Sequence, residues 1–264
     1  MSTQANKKEN TRTVAIVLAA GQGKRMGTDV AKQFLLLNDK PILYYSLAVF
    51  EQSSYIDETI LVTNPEGLSV CEEMVKEYDF KKVSSIVLGG KERYHSVWRG
   101  LQTALLDEGE SPETGTEGDL DHTPSDRPAP TYVLIHDGAR PFISEEIIKR
   151  NIDALLKDPA CVTAVPSKDT VKIADEDGYV ATTPNRKLVW NMQTPQSFTF
   201  DLAYNAYKQL IANEEDLIAK GISITDDAMV VEYFTDTKVK LVEGSYENIK
   251  ITTPEDLKIA KEFL

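Results

Sequence analysis

Residues 14–27 read VAIVLAAGQGKRMG, with Lys32 close behind. Val14 to Leu18 is an unbroken apolar run rich in β-branched side chains, the pattern of a strand buried on both faces of a parallel sheet. Ala19 and Ala20 follow, then Gly21, Gly23 and Gly27, interleaved with Lys24 and Arg25. Glycine lets the backbone approach a ligand closely and take dihedrals that a Cβ disfavours. Such a loop directs N–H groups at a phosphate chain, and adjacent cations neutralise its charge. Strand, glycine loop and cations together read as a nucleotide-phosphate cradle.

Two familiar cradles do not fit. A Walker A loop needs Gly-Lys-Ser/Thr, but Gly23-Lys24 is followed by Arg25, so the hydroxyl that would hold magnesium is missing. In the Rossmann fingerprint G-x-G-x-x-G, Met26 stands where the third glycine belongs. The acidic residue expected about 20 positions on would fall in a helix-like stretch, Leu43 to Phe50. On this segment alone an ordinary strand-to-helix turn stays open, and Arg25 and Lys32 weigh against it.

Working outward, 264 residues with 41% hydrophobic and 27% charged side chains describe an ordinary globule. A chain of this size buries about three quarters of its unfolded surface, so it needs no disulfide or structural metal. Cys71 and Cys161 lie far apart in no metal or redox spacing, and no signal-peptide core opens the chain, so a reducing cytoplasm is expected. The formal charge of −13, from 29 basic and 42 acidic residues, argues against a nucleic-acid or membrane-surface binder. A few cations in a glycine-lined cleft can still hold a triphosphate.

Strand and helix signals then alternate. Pro41 suits a first helical turn before Ile42, Leu43, Leu47 and Phe50. Thr59–Thr63 reads as a strand, Leu68–Tyr78 as an amphipathic helix and Ser85–Leu88 as a third strand. Gly89-Gly90 with Lys91, Arg93 and Ser96 then opens a helix carrying Val97, Leu101, Ala104 and Leu105 on one face. This second strand–glycine–cation–helix unit, taken alone, reads first as a surface turn with solvated charges. Residues 107–130, acidic and rich in Pro, Gly, Ser and Thr, cannot bury enough surface to offset ordering and are expected to form a disordered surface insert.

Beyond it, Tyr132–Ile135 is a fourth strand running into His136-Asp137-Gly138-Ala139-Arg140-Pro141. Ligands of open α/β sheets sit at the carboxyl ends of strands. Asp137 and Arg140 therefore point to the same crevice as the first loop, as metal or sugar ligand and phosphate grip respectively; a structural ion pair is the alternative. His136 is expected only to be a polar strand-end residue. Ser144 is expected to cap a helix running to Leu156, and Cys161–Val165 forms a fifth strand. Val171–Ile173 and Tyr179–Ala181 around Asp175–Gly178 predict a projecting hairpin, after which Met192–Phe198 returns to the body. Helices are expected at Leu202–Ala212 and Ala228–Tyr233, with Asp226 and Asp227 as capping and dipole-compensating residues. A last strand covers Val239–Val242. Thr253, Pro254 and Asp256 then start a capped helix; Lys250, just before, has no such role and could reach the cleft.

LAAGQGKRMG with KQF behind it, GGKERYHSV, HDGARPF, KDTVK, PNRKLVWNMQTPQSF, TDDA and NIKITTPEDL together resemble the 2-C-methyl-D-erythritol 4-phosphate cytidylyltransferases of the non-mevalonate isoprenoid pathway. The resemblance runs from Val14 to Leu264, apart from the insert. It implies one Rossmann-like α/β nucleotidyltransferase domain over residues 1–264, a mostly parallel twisted sheet flanked by helices. A projecting β-arm at 167–186 would interlock two subunits of a cytoplasmic homodimer. The resemblance implies that Arg25, Lys32, Arg186 and Lys250 are catalytic, the first two stabilising charge at the α-phosphate. It places CTP on Ala19, Ala20, Gly21, Gly23, Gly90 and Ser96. It directs Asp137, Arg140, Thr170, Arg186 and Lys250 to the sugar phosphate, with Asp137 also on Mg²⁺ and with Thr170 and Arg186 reaching substrate in the neighbouring subunit. Ala31, where the family usually has proline, and Gly138, where alanine is common, are departures.

The implied reaction is in-line attack of a methylerythritol phosphate oxygen on the α-phosphorus of CTP, expelling pyrophosphate. The nucleophile is already anionic, so positioning and charge stabilisation suffice without a general base. A pentitol-phosphate (ribitol-5-phosphate) cytidylyltransferase of teichoic acid synthesis is the nearest rival; Asp-Gly-Ala-Arg-Pro and Leu-Val-Trp lean away from it. A nicotinamide-dependent oxidoreductase lacks its glycine and ribose acid, and a catalytically dead interaction module would not need Arg25, Lys32 and Lys250.

Overall fold

Val14 and Ile16 face one side of their strand, Ala15 and Val17 the other, and all four are fully buried. That is why the first run shows no alternation: both faces of the strand are covered by helices. The computed structural model describes residues 11–21, 31–106 and 130–264. In chain order come β1 (Thr13–Ala19), a short ribbon of β2 (Leu36–Leu37) and β3 (Lys40–Pro41), α1 (Ile42–Gln52), β4 (Glu58–Thr63), α2 (Leu68–Glu77), β5 (Val83–Leu88) and α3 (Arg93–Thr103). They continue with β6 (Tyr132–Asp137), α4 (Glu145–Leu155), β7 (Ala160–Pro166), β8 (Ile173–Ala174), β9 (Val180–Thr182), β10 (Trp190–Thr199), α5 (Phe200–Ala212), α6 (Glu214–Ala219), α7 (Asp227–Phe234), β11 (Lys240–Glu243) and α8 (Pro254–Lys261). The predicted insert at 107–130 lies, except for Pro130, outside the described residues.

The seven-stranded sheet has the order β11-β7-β10-β6-β1-β4-β5. All neighbours are parallel except β10, which runs antiparallel to both β6 and β7. One face packs Val14, Ile16, Ile60, Val133 and Phe198 against α3, α5 and α7. The other packs Ala15, Val17, Leu61 and Leu134 against α1, α2 and α4. The chain leaves β1 for β4 and β5 on one side, then returns to β6 on the other. The topological switch point therefore falls between the carboxyl ends of β1 and β6, where ligands of such sheets bind.

Caps follow the sequence closely. Ser144 accepts a hydrogen bond from the Ile147 N–H, and Thr253 with Asp256 forms a reciprocal capping box behind Pro254. Pro41 stands one residue before α1 rather than within its first turn. Cys71 and Cys161 are buried free thiols whose burial pushes them up to about 11 and about 12, so both stay protonated and inert. Among the described residues, no helix is long and apolar enough to cross a membrane.

The segment expected only to return to the body is instead the ten-residue strand β10. Asn191, Gln193, Thr194, Gln196 and Ser197 hide it from a hydrophobic pattern. Pro195 is tolerated in this interior strand because the register against β7 shifts between Met192 and Gln196, where ladder bonds are interrupted.

Gly100 shows how closely α3 packs on the sheet: a Cβ there would lie 2.6 Å from Ile16 Cγ2. Alanine in a helix interior is worth about 1 kcal/mol over glycine, but overpacking a core costs about 1–3 kcal/mol. Gly100→Ala is therefore expected to lower stability by about 1 kcal/mol, read as a reduced urea midpoint; a raised midpoint would contradict this packing.

Candidate active site

The turn after β1 is held by a residue the sequence reading did not single out. Gln33, buried beside Lys32, donates from Nε2 to the Ala19 carbonyl and, at 3.2 Å, to the Gly21 carbonyl. Lys32 opens the 3₁₀ turn Lys32–Phe34, so its backbone is tied to the glycine loop through its neighbour. Ala31 has φ −61° and ψ 137°, dihedrals that proline also adopts, so its departure from the family pattern leaves this backbone unchanged. Gly23 and Arg25 fall in residues 22–30, outside those described.

The second glycine loop closes on the first. A Cβ on Gly89 would lie 2.5 Å from Ser96 Oγ and 2.8 Å from Ala20 Cβ. The turns after β1 and β5 thus touch at a point where only glycine fits. Ser96 is buried and accepts the Gly90 N–H at 3.2 Å. His95 and Glu92 form a capping box at the start of α3, and Glu214 accepts from Tyr94 Oη at 2.6 Å and contacts His95 Nε2 at 3.1 Å. What read as a possible surface turn is a braced wall of the crevice.

Across the switch point, Asp137 ends β6 opposite Leu18 in the register. Lys250 Nζ lies 2.8 Å from its Oδ2, Arg93 Nε 3.4 Å from its Oδ1 and Arg140 Nε 3.8 Å from its Oδ2. Burial would raise the carboxyl's pKa; the three cations, Arg93 foremost, overcome this and hold it far below the usual carboxylate range. Arg140 does more than pair. It donates to the Asn248 carbonyl at 2.8 Å and the Met192 carbonyl at 3.4 Å, bracing β10 and the segment before α8. Burial lowers its pKa, with Asp137 partly restoring it. Gly138 is not interchangeable with alanine here, since a Cβ would meet Leu43 Cδ1 at 2.7 Å and the Leu18 carbonyl at 3.0 Å.

Arg93, quoted in the sequence only as one cation of the second loop, is gripped by Asp227. NH1 and NH2 donate to its two oxygens at 2.6 Å and 2.8 Å. Burial alone would lower the guanidinium's pKa; Asp227 and then Asp137 raise it well above its ordinary value. Asp227 is fully buried and also accepts from Tyr207 Oη, so its role exceeds dipole compensation, whereas Asp226 caps α7 through the Met229 N–H as expected. Arg93, Asp137, Arg140 and Lys250 line a cleft of about 290 Å³ whose other walls are Met192–Thr194, Gln196, Thr225 and Asp226.

His136 is likewise more than a strand-end residue. Nε2 faces the Arg140 carbonyl at 3.2 Å, an acceptor only, so Nε2 carries the proton and Nδ1 accepts from Thr194 Oγ1 at 3.0 Å. Thr194 Oγ1 in turn accepts the Asp137 N–H at 3.1 Å. With its proton committed to His136, Thr194 can only accept from a ligand. Burial pushes the His136 pKa down to about 4 from 6.5. The unfolded chain binds this proton below about pH 6.5 and the folded protein resists it. Stability is therefore complete above that pH and falls between pH 6.5 and 4, by on the order of 3 kcal/mol. Urea midpoints for the wild type and His136→Gln across this range test it: the variant should show the shallower decline, and parallel curves would refute the assignment.

The arm is present as the β8–β9 hairpin. It exposes Ile173, Tyr179 and Val180, and Leu188, at the end of the 3₁₀ turn Arg186–Leu188 that follows it, is exposed as well. Thr170 and Arg186 are both exposed at its base, and Arg186 NH1 reaches the Lys168 carbonyl at 3.5 Å. Neither is brought against the Asp137 cluster by any contact among the described residues of this chain. No group of three or more His, Cys, Asp or Glu placed to hold a metal occurs among the described residues.

Comparison with known proteins follows the same outline. The family model described as IspD, 2-C-methyl-D-erythritol 4-phosphate cytidylyltransferase, matches residues 13–110 and 124–264. A relative of that name from Lachnospira eligens is 45% identical over 250 residues, 95% of this chain and 98% of the relative. A crystal structure described as 4-diphosphocytidyl-2C-methyl-D-erythritol synthase from Anaerococcus prevotii aligns with TM-score 0.76 and 36% identity over 96% of both chains. The Francisella tularensis 2-C-methyl-D-erythritol 4-phosphate cytidylyltransferase aligns with TM-score 0.71 and 28% identity over 96% of this chain and 100% of that one. On both the sequence match and the shared fold, the chain belongs to the 2-C-methyl-D-erythritol 4-phosphate cytidylyltransferase family.

Proposed function

We propose that the protein transfers CMP from CTP to 2-C-methyl-D-erythritol 4-phosphate, releasing pyrophosphate, in the non-mevalonate route to isoprenoids. The observation that carries this is the meeting, at the β1/β6 switch point, of two contacting glycine loops with the cation cluster around Asp137. One side offers backbone amides to a triphosphate through Ala19, Ala20, Gly21, Gly90 and Ser96, with Gly23 and Arg25 following Gly21 in sequence. The other offers Lys250 to an acceptor phosphate. Both nucleophile and leaving group are phosphate oxygens, so the side chains need only hold the two anions in line and neutralise charge as it builds. Lys32, tied to the first loop through Gln33, takes that role at the α-phosphate together with Arg25.

A magnesium ion fits in one way. Mg²⁺ is usually bound by one or two carboxylates plus substrate phosphates, and Asp137 offers a carboxylate held ionised by its neighbours. Three cations already surround it, so it forms no preformed metal cage; the donor set suits an ion arriving on the triphosphate. Bound there, magnesium supplies neutralisation of phosphate charge. The exposed apolar arm supports a homodimer in which Thr170 and Arg186 reach the partner's acceptor site, in a cytoplasmic enzyme.

The test is pyrophosphate release with CTP and Mg²⁺, offering methylerythritol 4-phosphate or ribitol 5-phosphate. Turnover with the first and not the second is expected. Preference for ribitol 5-phosphate, or no pyrophosphate from either, would overturn the reading.

A further inference from the structure

We propose that Arg93 is a positioning residue for this transfer, a strut that carries the orientation of the buried Asp227 across the cleft to the Asp137 carboxylate. The inference rests on the cytidylyltransferase reading and names a residue that reading leaves without a role. Arg93 is the first residue of α3, directly behind the Gly89-Gly90 turn. Its forked end is occupied by both oxygens of Asp227, which leaves Nε, 3.4 Å from Asp137 Oδ1, as the group aimed at the acceptor side. Lys250 holds the other oxygen, Oδ2, at 2.8 Å. Held through one oxygen by each cation, the carboxylate has its plane as well as its position fixed.

The anchor lies in the core. Asp227 is fully buried and also held by Tyr207 Oη from α5. The start of α7 is pinned to β10, since Gln196 accepts the Ala228 N–H at 2.7 Å and donates to Asp226 at 3.0 Å. Three elements thus converge to place one guanidinium. Stability does not explain such a pair: the Arg93 side chain is 30% exposed, and even a fully buried ion pair can often be replaced by apolar groups of similar volume without loss. A planar fork that satisfies one carboxylate bidentately while presenting a third donor to another does explain it, and lysine cannot reproduce it.

Two variants test the strut against the wild type in the CTP assay. Arg93→Met with Asp227→Leu and Tyr207→Phe removes both charges of the pair and the hydroxyl together, so Asp227 is not left as a stranded carboxylate; Arg93→Lys keeps the charge but not the fork. Misplacing a reacting group by about 1 Å costs on the order of 10²-fold. The triple variant should therefore unfold cooperatively yet lose on the order of 10²-fold in kcat/KM for the acceptor, with KM for CTP unchanged. Arg93→Lys should recover only part of the loss. Wild-type kcat/KM for the acceptor in either variant, or a loss confined to thermal stability, would overturn the proposal. If the triple variant does not fold, Arg93→Lys alone decides. Absence of turnover in the wild type would instead strike the functional reading.

Discussion

Lys32→Ala is expected to fold with wild-type stability and to turn over on the order of 10²–10³ times more slowly, the usual loss when one preorganised charge stabiliser is removed. Its backbone sits in a 3₁₀ turn whose next residue, Gln33, is hydrogen-bonded to the first loop, and those bonds do not pass through the ammonium. Deleting the ammonium therefore should not move the loop. The decisive comparison is kcat at saturating CTP and acceptor against the thermal unfolding midpoint. Unchanged kcat would remove Lys32 from the chemistry, and a collapsed midpoint would mean that the side chain holds structure.

Lys250→Ala should act on the other substrate. Its ammonium contacts Asp137 at 2.8 Å while its side chain is 37% exposed, so the ion pair contributes no more than about 1 kcal/mol to stability. Arg93 and Arg140 remain to keep Asp137 ionised. The expected result is a loss of on the order of 10²–10³ in kcat/KM for the acceptor, with KM for CTP preserved. Lys250→Arg should recover little, because a guanidinium cannot replace the compact charge of an ammonium at this distance. A variant whose defect lies in KM for CTP would place Lys250 on the nucleotide instead.

Particular elements show how far the chain could be read. The strand at Thr13–Ala19 and the caps of α4, α7 and α8 follow from local chemistry: apolar runs, hydroxyl or carboxyl caps and a first-turn proline. The hairpin arm followed from two β-rich runs around a turn. Strand β10 was not legible because its polar residues serve the cleft and its neighbours instead of packing a core. Gln33 stands in the sequence only as a letter in a motif; its buried bonds to the first loop depend on how the 3₁₀ turn Lys32–Phe34 and β1 meet in space.

By itself the sequence determined an α/β chain and pointed to a phosphate ligand at its first strand, glycine loop and cations, because those signals lie within a few residues of one another. Only the tertiary structure decided that Arg93 belongs to Asp227, 134 residues away, and Thr194 to His136, 58 residues away. Residue type and local spacing fix what a segment can do. Which distant carboxylate a cation meets is set by the strand order that brings β6, β10 and the start of α7 to one crevice.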